Sequence, residues 1–151
     1  MVLWCDASPI GLSFCFAGNG FYYEISRLPG APLVDIFFLE LVAILSAIDF
    51  VSTLTCPPKR FLIFSDSLDS VDAFNSLGVR NASHNGPLLA ACGIVLRSGI
   101  DTWHIPGKEN LRADLLSRLL IDDFTRQFPS YRVRQSSPRR DLLPTRWRQS
   151  F

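Results

Sequence analysis

The feature that most constrains the fold of this chain is a run of consecutive apolar residues, Phe61 to Phe64, between Arg60 and Ser65. Side chains alternate between the two faces of a strand, so an unbroken apolar run indicates a strand that is covered on both faces. Such strands occur in the middle of α/β sheets that are flanked by helices. The run is followed at once by Asp66, which places a carboxylate at the carboxyl end of a central strand.

The segment before this strand predicts a long buried helix over about residues 34–53. Its apolar residues fall on one side at helical spacing, at Phe37, Leu41, Ile44, Ile48 and Val51. Glu40 shares a stripe with Ile44 and Ala47, so it faces inwards on a helix that is apolar nearly all round. A buried, unpaired carboxylate is costly or takes up a proton, so we expect a metal ion or a buried arginine to offset it.

The start of the chain predicts a three-stranded antiparallel meander. Val2 to Cys5 is a short apolar run that leads to Asp6, and an Asp-Ala-Ser-Pro turn follows it. Two further strand-like runs, 11–17 and 21–26, lie around Asn19-Gly20, and Asn-Gly between apolar runs favours a hairpin. Helical patterns at 68–77 and 88–97 and a strand at 102–105 complete the predicted order β-β-β-α-β-α-α-β-α.

The stretch from Trp103 to Arg118 sets a histidine, an asparagine and a carboxylate at fixed offsets. His104 ends a strand, Asn110 follows a Pro-Gly break, and Asp114 lies in the first turns of a helix whose leucines recur at helical spacing. This arrangement suits a site that holds a cation against a phosphate. An aspartate that begins a helix is also an ordinary cap or a partner of the helix dipole, so both interpretations stay open for this stretch alone.

The predicted topology brings the acidic residues together. Strands joined through a helix are adjacent and parallel in most sheets, and their carboxyl ends converge, so Asp6 and Asp66 should lie side by side. Glu40 and Asp114 would reach the same place from packed helices. Four carboxylates repel one another unless cations are present, and two Mg²⁺ ions roughly 3.5–4 Å apart can clamp the oxygens of a phosphoryl transfer. A single one of these acids would be explained equally by a cap or a surface charge.

Composition and charge bound the class of protein. The 151 residues suffice for one domain with a core, and 48% of them are hydrophobic, which argues against disorder. Residues 1–118 hold 8 Lys or Arg against 11 Asp or Glu, a net charge of −3, whereas residues 119–151 hold 7 Arg against 3 Asp, a net of +4. We therefore expect a domain over residues 1–121, followed over 122–151 by a disordered basic tail rich in Arg, Pro and Ser.

The expected cellular location of the protein rests on three features that the sequence lacks. The four cysteines lack C-x-x-C spacing and lie in apolar surroundings, which favours buried, reduced thiols over disulfides or zinc. The start of the chain has no basic segment followed by a long apolar run, so it does not resemble a signal peptide. The longest apolar stretch is interrupted by Glu40 and Asp49 and is shorter than the roughly 20 residues that a bilayer requires. We expect no membrane contact and a soluble intracellular protein, cytoplasmic or nuclear.

With these residues in place, the chain resembles the ribonuclease H domain that is attached to the reverse transcriptases of retroelements, within the ribonuclease H-like superfamily. The matching motifs are Trp-Cys-Asp6-Ala-Ser with Gly11, Phe-Leu-Glu40-Leu, Phe-Ser-Asp66-Ser, and the run from His104 to Arg118, which ends in Ala-Asp-Leu-Leu-Ser-Arg. They cover about residues 2–119. The ending is most similar to that of long-terminal-repeat or tyrosine-recombinase retrotransposons. The implied fold class is α/β, with a five-stranded mixed sheet (the meander plus parallel strands) flanked by helices.

The resemblance implies a function and a role for each motif residue. The family cleaves the RNA strand of RNA–DNA hybrids with two Mg²⁺ or Mn²⁺ ions and leaves 3′-hydroxyl and 5′-phosphate ends. Asp6, Glu40, Asp66 and Asp114 match its metal ligands. His104 matches a loop histidine that helps proton transfer or product release, a role that suits its ordinary pKa, although a packing role at a strand end is an alternative. Ser67 and Asn110 match positions beside the site, with substrate contact as the expected role, and Ser67 equally suits a helix cap.

Some features depart from the family pattern. Met1 lies one residue before the first strand, so we expect no polymerase domain upstream. The chain could then be a fragment, a stand-alone remnant or a domesticated copy, and the sequence leaves these three origins open. A separate reverse transcriptase polymerase domain is the expected protein partner. Residues 77–102 lack the basic, Trp-rich handle that grips hybrids in some ribonucleases H, so we expect weak binding by the domain alone, with the tail arginines supplying part of the missing charge.

Three functions are therefore compared. The first is an active ribonuclease H, which the complete set of acids favours. The second is a catalytically silent module that binds nucleic acid or protein. The third is a nuclease of the superfamily that acts on DNA, and the ten-residue spacing from His104 to Asp114 argues against it.

Overall fold

The structure is a computed structural model that describes residues 1–25 and 35–140. The strands are β1 (Val2–Ser8), β2 (Gly11–Phe16), β3 (Asn19–Glu24), β4 (Arg60–Ser65), β5 (Gly99–His104) and β6 (Arg132–Gln135). The helices are α1 (Ile36–Ser52), α2 (Leu68–Ser76), α3 (Asn85–Val95), α4 (Leu111–Ser117) and α5 (Ile121–Gln127), with short 3-10 turns at Ala82–His84 and Gly107–Glu109. The loop expected at 28–33 and the end of the expected tail, 141–151, lie outside the described residues.

The strands form one mixed sheet in the order β5-β4-β1-β2-β3-β6. β1, β2 and β3 pair antiparallel, as the predicted meander requires, while β1 with β4 and β4 with β5 pair parallel. The predicted adjacency of the first and fourth strands is confirmed, because α1 carries the chain across one face of the sheet and returns it beside β1. The α/β architecture with a mixed sheet between helices is confirmed as well.

α1 is buried on almost every side, which explains its lack of a polar face. It packs on β1 and β2 with its inner side and against α2 and α3 with its outer side. The main hydrophobic core lies between this helix layer and the sheet and includes Leu41, Ile44, Ile48, Phe61 and Ile63. On the opposite face of the sheet, α4 packs on β1, β2 and β3. Helices therefore lie on both faces of the sheet. The expectation that the strand from Arg60 to Ser65 is covered on both faces is only partly correct, because α4 lies over β1, β2 and β3 and leaves Leu62 and Phe64 of β4 partly exposed.

The hairpin of β2 and β3 turns two residues earlier than Asn-Gly predicts. The turn residues are Ala17 and Gly18, with φ of 45° and 73°, and Asn19 and Gly20 already belong to β3. The amide of Asn19 donates to the carbonyl of Ala17 at 3.0 Å, which stabilises the turn from outside it. Gly20 is required for packing instead, because a Cβ there would lie 2.8 Å from the side chain of Leu116. The Asn-Gly signal thus marks the correct hairpin but the wrong turn residues.

β1 is longer than its apolar run predicts, so Asp6 lies within the strand and the turn expected at 6–9 begins only after Ser8. Antiparallel pairing with β2 continues from Trp4 to Ser8 and keeps these residues extended. Parallel pairing with β4 stops at Trp4, opposite Phe64. Asp6 therefore lies at the carboxyl end of the parallel ladder, as expected, although the strand itself continues beyond it.

The expectation of a disordered tail from residue 122 onwards is wrong for its first part, which contains α5 and β6. Phe124 of α5 is fully buried with Cys15, Leu115 and Leu116, and β6 adds a sixth strand parallel to β3, one more than the five expected. Leu119 adopts φ of 59°, which ends α4 and redirects the chain into α5. Ile121, Phe124 and Phe128 join this cluster at helical spacing, but α5 has only 7 residues, which is too short for that period to stand out in the sequence.

The cysteines and the helices bear on two further expectations. Cys5 and Cys15 are free and buried, as expected, whereas Cys56 is free and exposed. None of the helices within 1–25 and 35–140 combines the length and the hydropathy that crossing a bilayer requires.

Candidate metal centre

Three of the predicted acidic residues meet at one edge of the sheet. Asp6 comes from β1, Glu40 from the second turn of α1, and Asp66 from the first position after β4. Each of them offers a carboxylate oxygen that lies within 4.8 Å of the other two. Asp6 and Glu40 are buried and Asp66 is partly buried. The expectation that Glu40 faces inwards is confirmed, and within the described residues it meets carboxylates rather than a basic partner.

The surroundings favour the neutral form of two of these carboxyl groups. Burial raises the pKa of Glu40 to about 9, with the charges of Asp6 and Asp66 adding to the effect and the backbone N–H of Ala7 opposing it. Burial likewise raises the pKa of Asp6 to about 8, and the charges of Asp66 and Asp114 act in the same direction. Ionising the whole group at neutral pH therefore requires a nearby positive charge, which a bound cation would provide.

The donor atoms of this group fit a hard divalent cation. All three side chains offer carboxylate oxygens, which Mg²⁺ and Mn²⁺ prefer over nitrogen or sulfur ligands. Oε2 of Glu40 is buried and has no hydrogen-bond partner among the described residues, and Oδ1 of Asn110 is in the same condition. Buried acceptors are rarely left unsatisfied, and a cation bound by the three carboxylates would satisfy Oε2 of Glu40.

Asp114 lies outside this group of three. Its Oδ1 accepts a hydrogen bond from Nε of Arg118 at 2.6 Å, one helical turn further along α4. It is nevertheless close enough that its charge raises the pKa of Asp6. The structure therefore brings three of the four predicted ligands together and places the fourth beside them in an ion pair.

Asn110 has a different role from the expected contact with substrate. Its side chain is fully buried, and its amide donates to the carbonyl of Cys5 at 2.9 Å and to Oδ1 of Asp66 at 3.3 Å. It thus joins the strand that carries Asp6 to the side chain of Asp66. Gly107, in the same loop, approaches Oδ2 of Asp66 so closely that a Cβ there would lie 3.0 Å from it. The Pro-Gly break is required because the loop backbone passes directly over this carboxylate.

His104 and Ser67 flank the group without joining it. His104 is the last residue of β5, lies opposite Ser65 in the ladder and is exposed. Ser67 occupies the N-cap position of α2, but its side chain makes no capping bond and instead hydrogen-bonds the hydroxyl of Ser70 at 2.8 Å. Neither residue belongs to the set of metal ligands, and the cap predicted for Ser67 is present in position only.

Three serines that the sequence did not single out hold α4 against the site. The hydroxyl of Ser117 is buried and donates to Oδ2 of Asp6, and the hydroxyl of Ser8 donates to the carbonyl of Ser117 at 2.7 Å. Ser13 donates to the carbonyl of Ala113 at the same distance of 2.7 Å. The Leu-Leu-Ser-Arg ending contained the signal for Ser117, because it lies three residues after Asp114 and therefore near it on the helix.

Comparison with known proteins gives a structural match only. No protein-family model matches the sequence, and no curated protein matches it either. Among solved structures, the chain is similar to the RNase H1 of the halophilic archaeon Halobacterium salinarum NRC-1, with a TM-score of 0.60 and 16% sequence identity over 81% of this chain and 97% of that one. Identity at this level carries the fold and not the chemistry, and so the chain has a ribonuclease H-like fold.

Proposed function

We propose that the chain is a divalent-metal-dependent ribonuclease that hydrolyses the RNA strand of RNA–DNA hybrids. The observation that carries this proposal is the buried group of Asp6, Glu40 and Asp66, whose ligand oxygens lie within 4.8 Å of one another on a ribonuclease H-like fold. An uncompensated cluster of this kind is expensive to bury, and metal binding explains why it exists. The motif from His104 to Arg118 supports an origin in the reverse transcriptase of a retroelement.

Asp6, Glu40 and Asp66 would hold the cations, and Asp114 would join them on leaving Arg118. Bound Mg²⁺ or Mn²⁺ ions would supply Lewis acidity and stabilise the negative charge that develops during phosphoryl transfer. Asn110 fixes the orientation of Asp66, and Ser117 fixes that of Asp6. His104, exposed at the end of β5, would assist proton transfer or product release, the role that the sequence resemblance implies. The reaction adds water to phosphorus, breaks the bond to O3′ and leaves a 3′-hydroxyl and a 5′-phosphate.

The test is cleavage of a labelled RNA–DNA hybrid by the full chain in Mg²⁺ and in Mn²⁺. Asp66→Asn removes a charge while nearly preserving shape, and we expect it to abolish cleavage. Asp72→Asn is the matched control, because Asp72 is an exposed aspartate on the neighbouring helix α2 and lies outside the cluster. Cleavage confined to the RNA strand, lost in Asp66→Asn and retained in Asp72→Asn, is the expected result. Equal cutting of duplex DNA would instead support a DNA nuclease.

A catalytically silent binding module is the second candidate, and the ion pair of Asp114 with Arg118 is the observation that favours it. That pair withholds one of the four expected ligands from the cluster. A silent module would bind hybrid but leave it uncut in both metals. A reverse transcriptase polymerase domain as a partner stays a prediction that rests on the sequence resemblance.

A further inference from the structure

A groove of about 520 Å³ lies on the sheet face beside the acidic group, over β4 and β5. Its floor is made by Leu62 and Phe64 of β4 and by Trp103 of β5, and Trp103 is 61% exposed. α4 covers the same sheet face over β1, β2 and β3. In the described part of the chain, β4 and β5 thus present aromatic and apolar side chains to solvent on this face. We call this surface the β4–β5 groove.

One end of the groove is close to the acidic group, because Phe64, which lines the groove, precedes Asp66 by two residues. In the strand register, Trp4 pairs with Phe64 and Phe64 pairs with Trp103, so three aromatic residues form one row across three strands. Asp6 and Asp66 follow Trp4 and Phe64 by two residues on the same strands and therefore lie on the same face. The aromatic row begins roughly 7 Å from the carboxylates at two residues of strand rise. A strand of nucleic acid at the carboxylates would pass directly over the aromatic row.

The far end of the groove carries a positive charge. Arg60 begins β4 on the same face as Phe64, and its side chain is 80% exposed. It pairs with Asp101 of β5 at 3.4 Å, but both groups are exposed, so the pair is weak and the guanidinium remains available to a phosphate. From the end of β4 back to its start, the acidic cluster is thus followed by the aromatic row, then by Leu62 and then by Arg60. Exposed aromatic residues with a nearby cation, on an open sheet face, are the features by which sheets stack the bases of single strands.

We propose that the β4–β5 groove binds single-stranded RNA that continues from a hybrid held at the acidic cluster. This inference rests on the proposed function for the choice of strand. If the RNA strand is the one held at the acidic cluster, it is also the strand that continues over the neighbouring aromatic row into the groove. Bases stack on Trp103 and Phe64, and a phosphate reaches Arg60. The groove therefore selects hybrids that carry an RNA overhang over blunt ones.

The test measures binding alone, by fluorescence anisotropy of labelled hybrids in Mg²⁺, with the full chain carrying Asp66→Asn so that nothing is cut. Hybrids with a 5′ or a 3′ RNA overhang are compared with a blunt hybrid and with hybrids that carry the corresponding DNA overhangs. We expect one RNA overhang to tighten binding about tenfold, the effect of stacking roughly one base. Trp103→Ala should remove this gain, and Trp103→Phe should restore most of it. Asp101→Asn should enlarge the gain, because it removes the negative charge beside Arg60.

Leu96→Ala is the matched control, since Leu96 is 83% exposed but follows α3, outside the groove, and its loss should leave the gain unchanged. The proposal is overturned if RNA overhangs give no gain, if Trp103→Ala retains the gain, or if a DNA overhang gives the same gain. Self-association that Trp103→Ala abolishes, without any effect on RNA, would assign the groove to a second copy of the chain instead. The two proposals can fail separately. If the parent protein does not cleave the hybrid but an RNA overhang still tightens binding through Trp103, the groove proposal stands and only the nuclease proposal is overturned.

Discussion

Replacing Glu40 with glutamine should stabilise the metal-free protein at neutral pH, although it removes a predicted metal ligand. Glu40 is 7% exposed, and its Oε2 has no hydrogen-bond partner in the described structure. Burial raises its pKa from an ordinary 4.5 to about 9, so the folded protein keeps this proton at pH 7 while the unfolded chain releases it. Glutamine has the shape of the protonated acid and needs no proton. The variant therefore avoids a cost that the parent protein pays.

The magnitude follows from proton linkage. A carboxyl group whose pKa is raised by folding contributes to the stability of the folded protein at low pH. For Glu40 this contribution is fully present below the pKa of 4.5 in the unfolded chain and is lost progressively as the pH rises towards the folded pKa of about 9. Folding at pH 7 takes up a proton about 2.5 pH units above the ordinary pKa, which costs about 3 kcal/mol. We therefore expect Glu40→Gln to raise the free energy of unfolding by about 2–3 kcal/mol at pH 7 and to change it little at pH 4.5.

Urea unfolding in a chelator, followed by circular dichroism at both pH values, measures this difference. Asp49→Asn is the control, because Asp49 lies on the same helix, is 8% exposed and has Arg139 within 3.3 Å, so its replacement should not stabilise the protein. Adding Mg²⁺ at pH 7 should stabilise the parent protein more than the variant. A Glu40→Gln protein that is no more stable than the parent at pH 7, or equally stabilised at pH 4.5, would refute the reasoning.

Three further predictions concern the packing around the site and of α5. Ser117→Ala removes the hydroxyl that orients Asp6 and should weaken Mn²⁺ binding about tenfold, as measured by calorimetry. The control Ser13→Ala removes a comparable bond to α4 and should leave the Mn²⁺ affinity nearly unchanged. Equal Mn²⁺ affinities in the two variants would contradict this prediction. Gly11→Ala places a Cβ against the carbonyl of Ser117 and should cost about 1–3 kcal/mol in urea unfolding, and an unchanged midpoint would exclude that close approach. Phe124→Ala should cost about 3–5 kcal/mol, because the ring is fully buried, and the absence of any loss would show that α5 does not belong to the folded domain.

Where the apolar pattern was continuous, the sequence was a good guide to the fold. The run from Phe61 to Phe64 predicted a central strand, and the apolar helix before it predicted the crossover that makes β1 and β4 parallel neighbours. From that adjacency alone, the meeting of Asp6 with Asp66 could be expected. Phe124 and the strand β6 escaped prediction because α5 and β6 have only 7 and 4 residues, too few for a clear period, and are stabilised by contacts with distant residues.

The acidic site was likewise predictable from the sequence only in part. The sequence by itself determined which acids exist and which strand ends deliver them, since residue order and the handedness of crossovers fix those positions. The sequence also placed Glu40 with these acids, and the structure brings it into the cluster. Only the tertiary structure decided that Asp114 pairs with Arg118 and that Asn110 is buried. These outcomes depend on side-chain directions and burial at contacts between residues far apart in the chain. A one-dimensional pattern does not contain such distances, because they arise only when the sheet, α1 and α4 pack together.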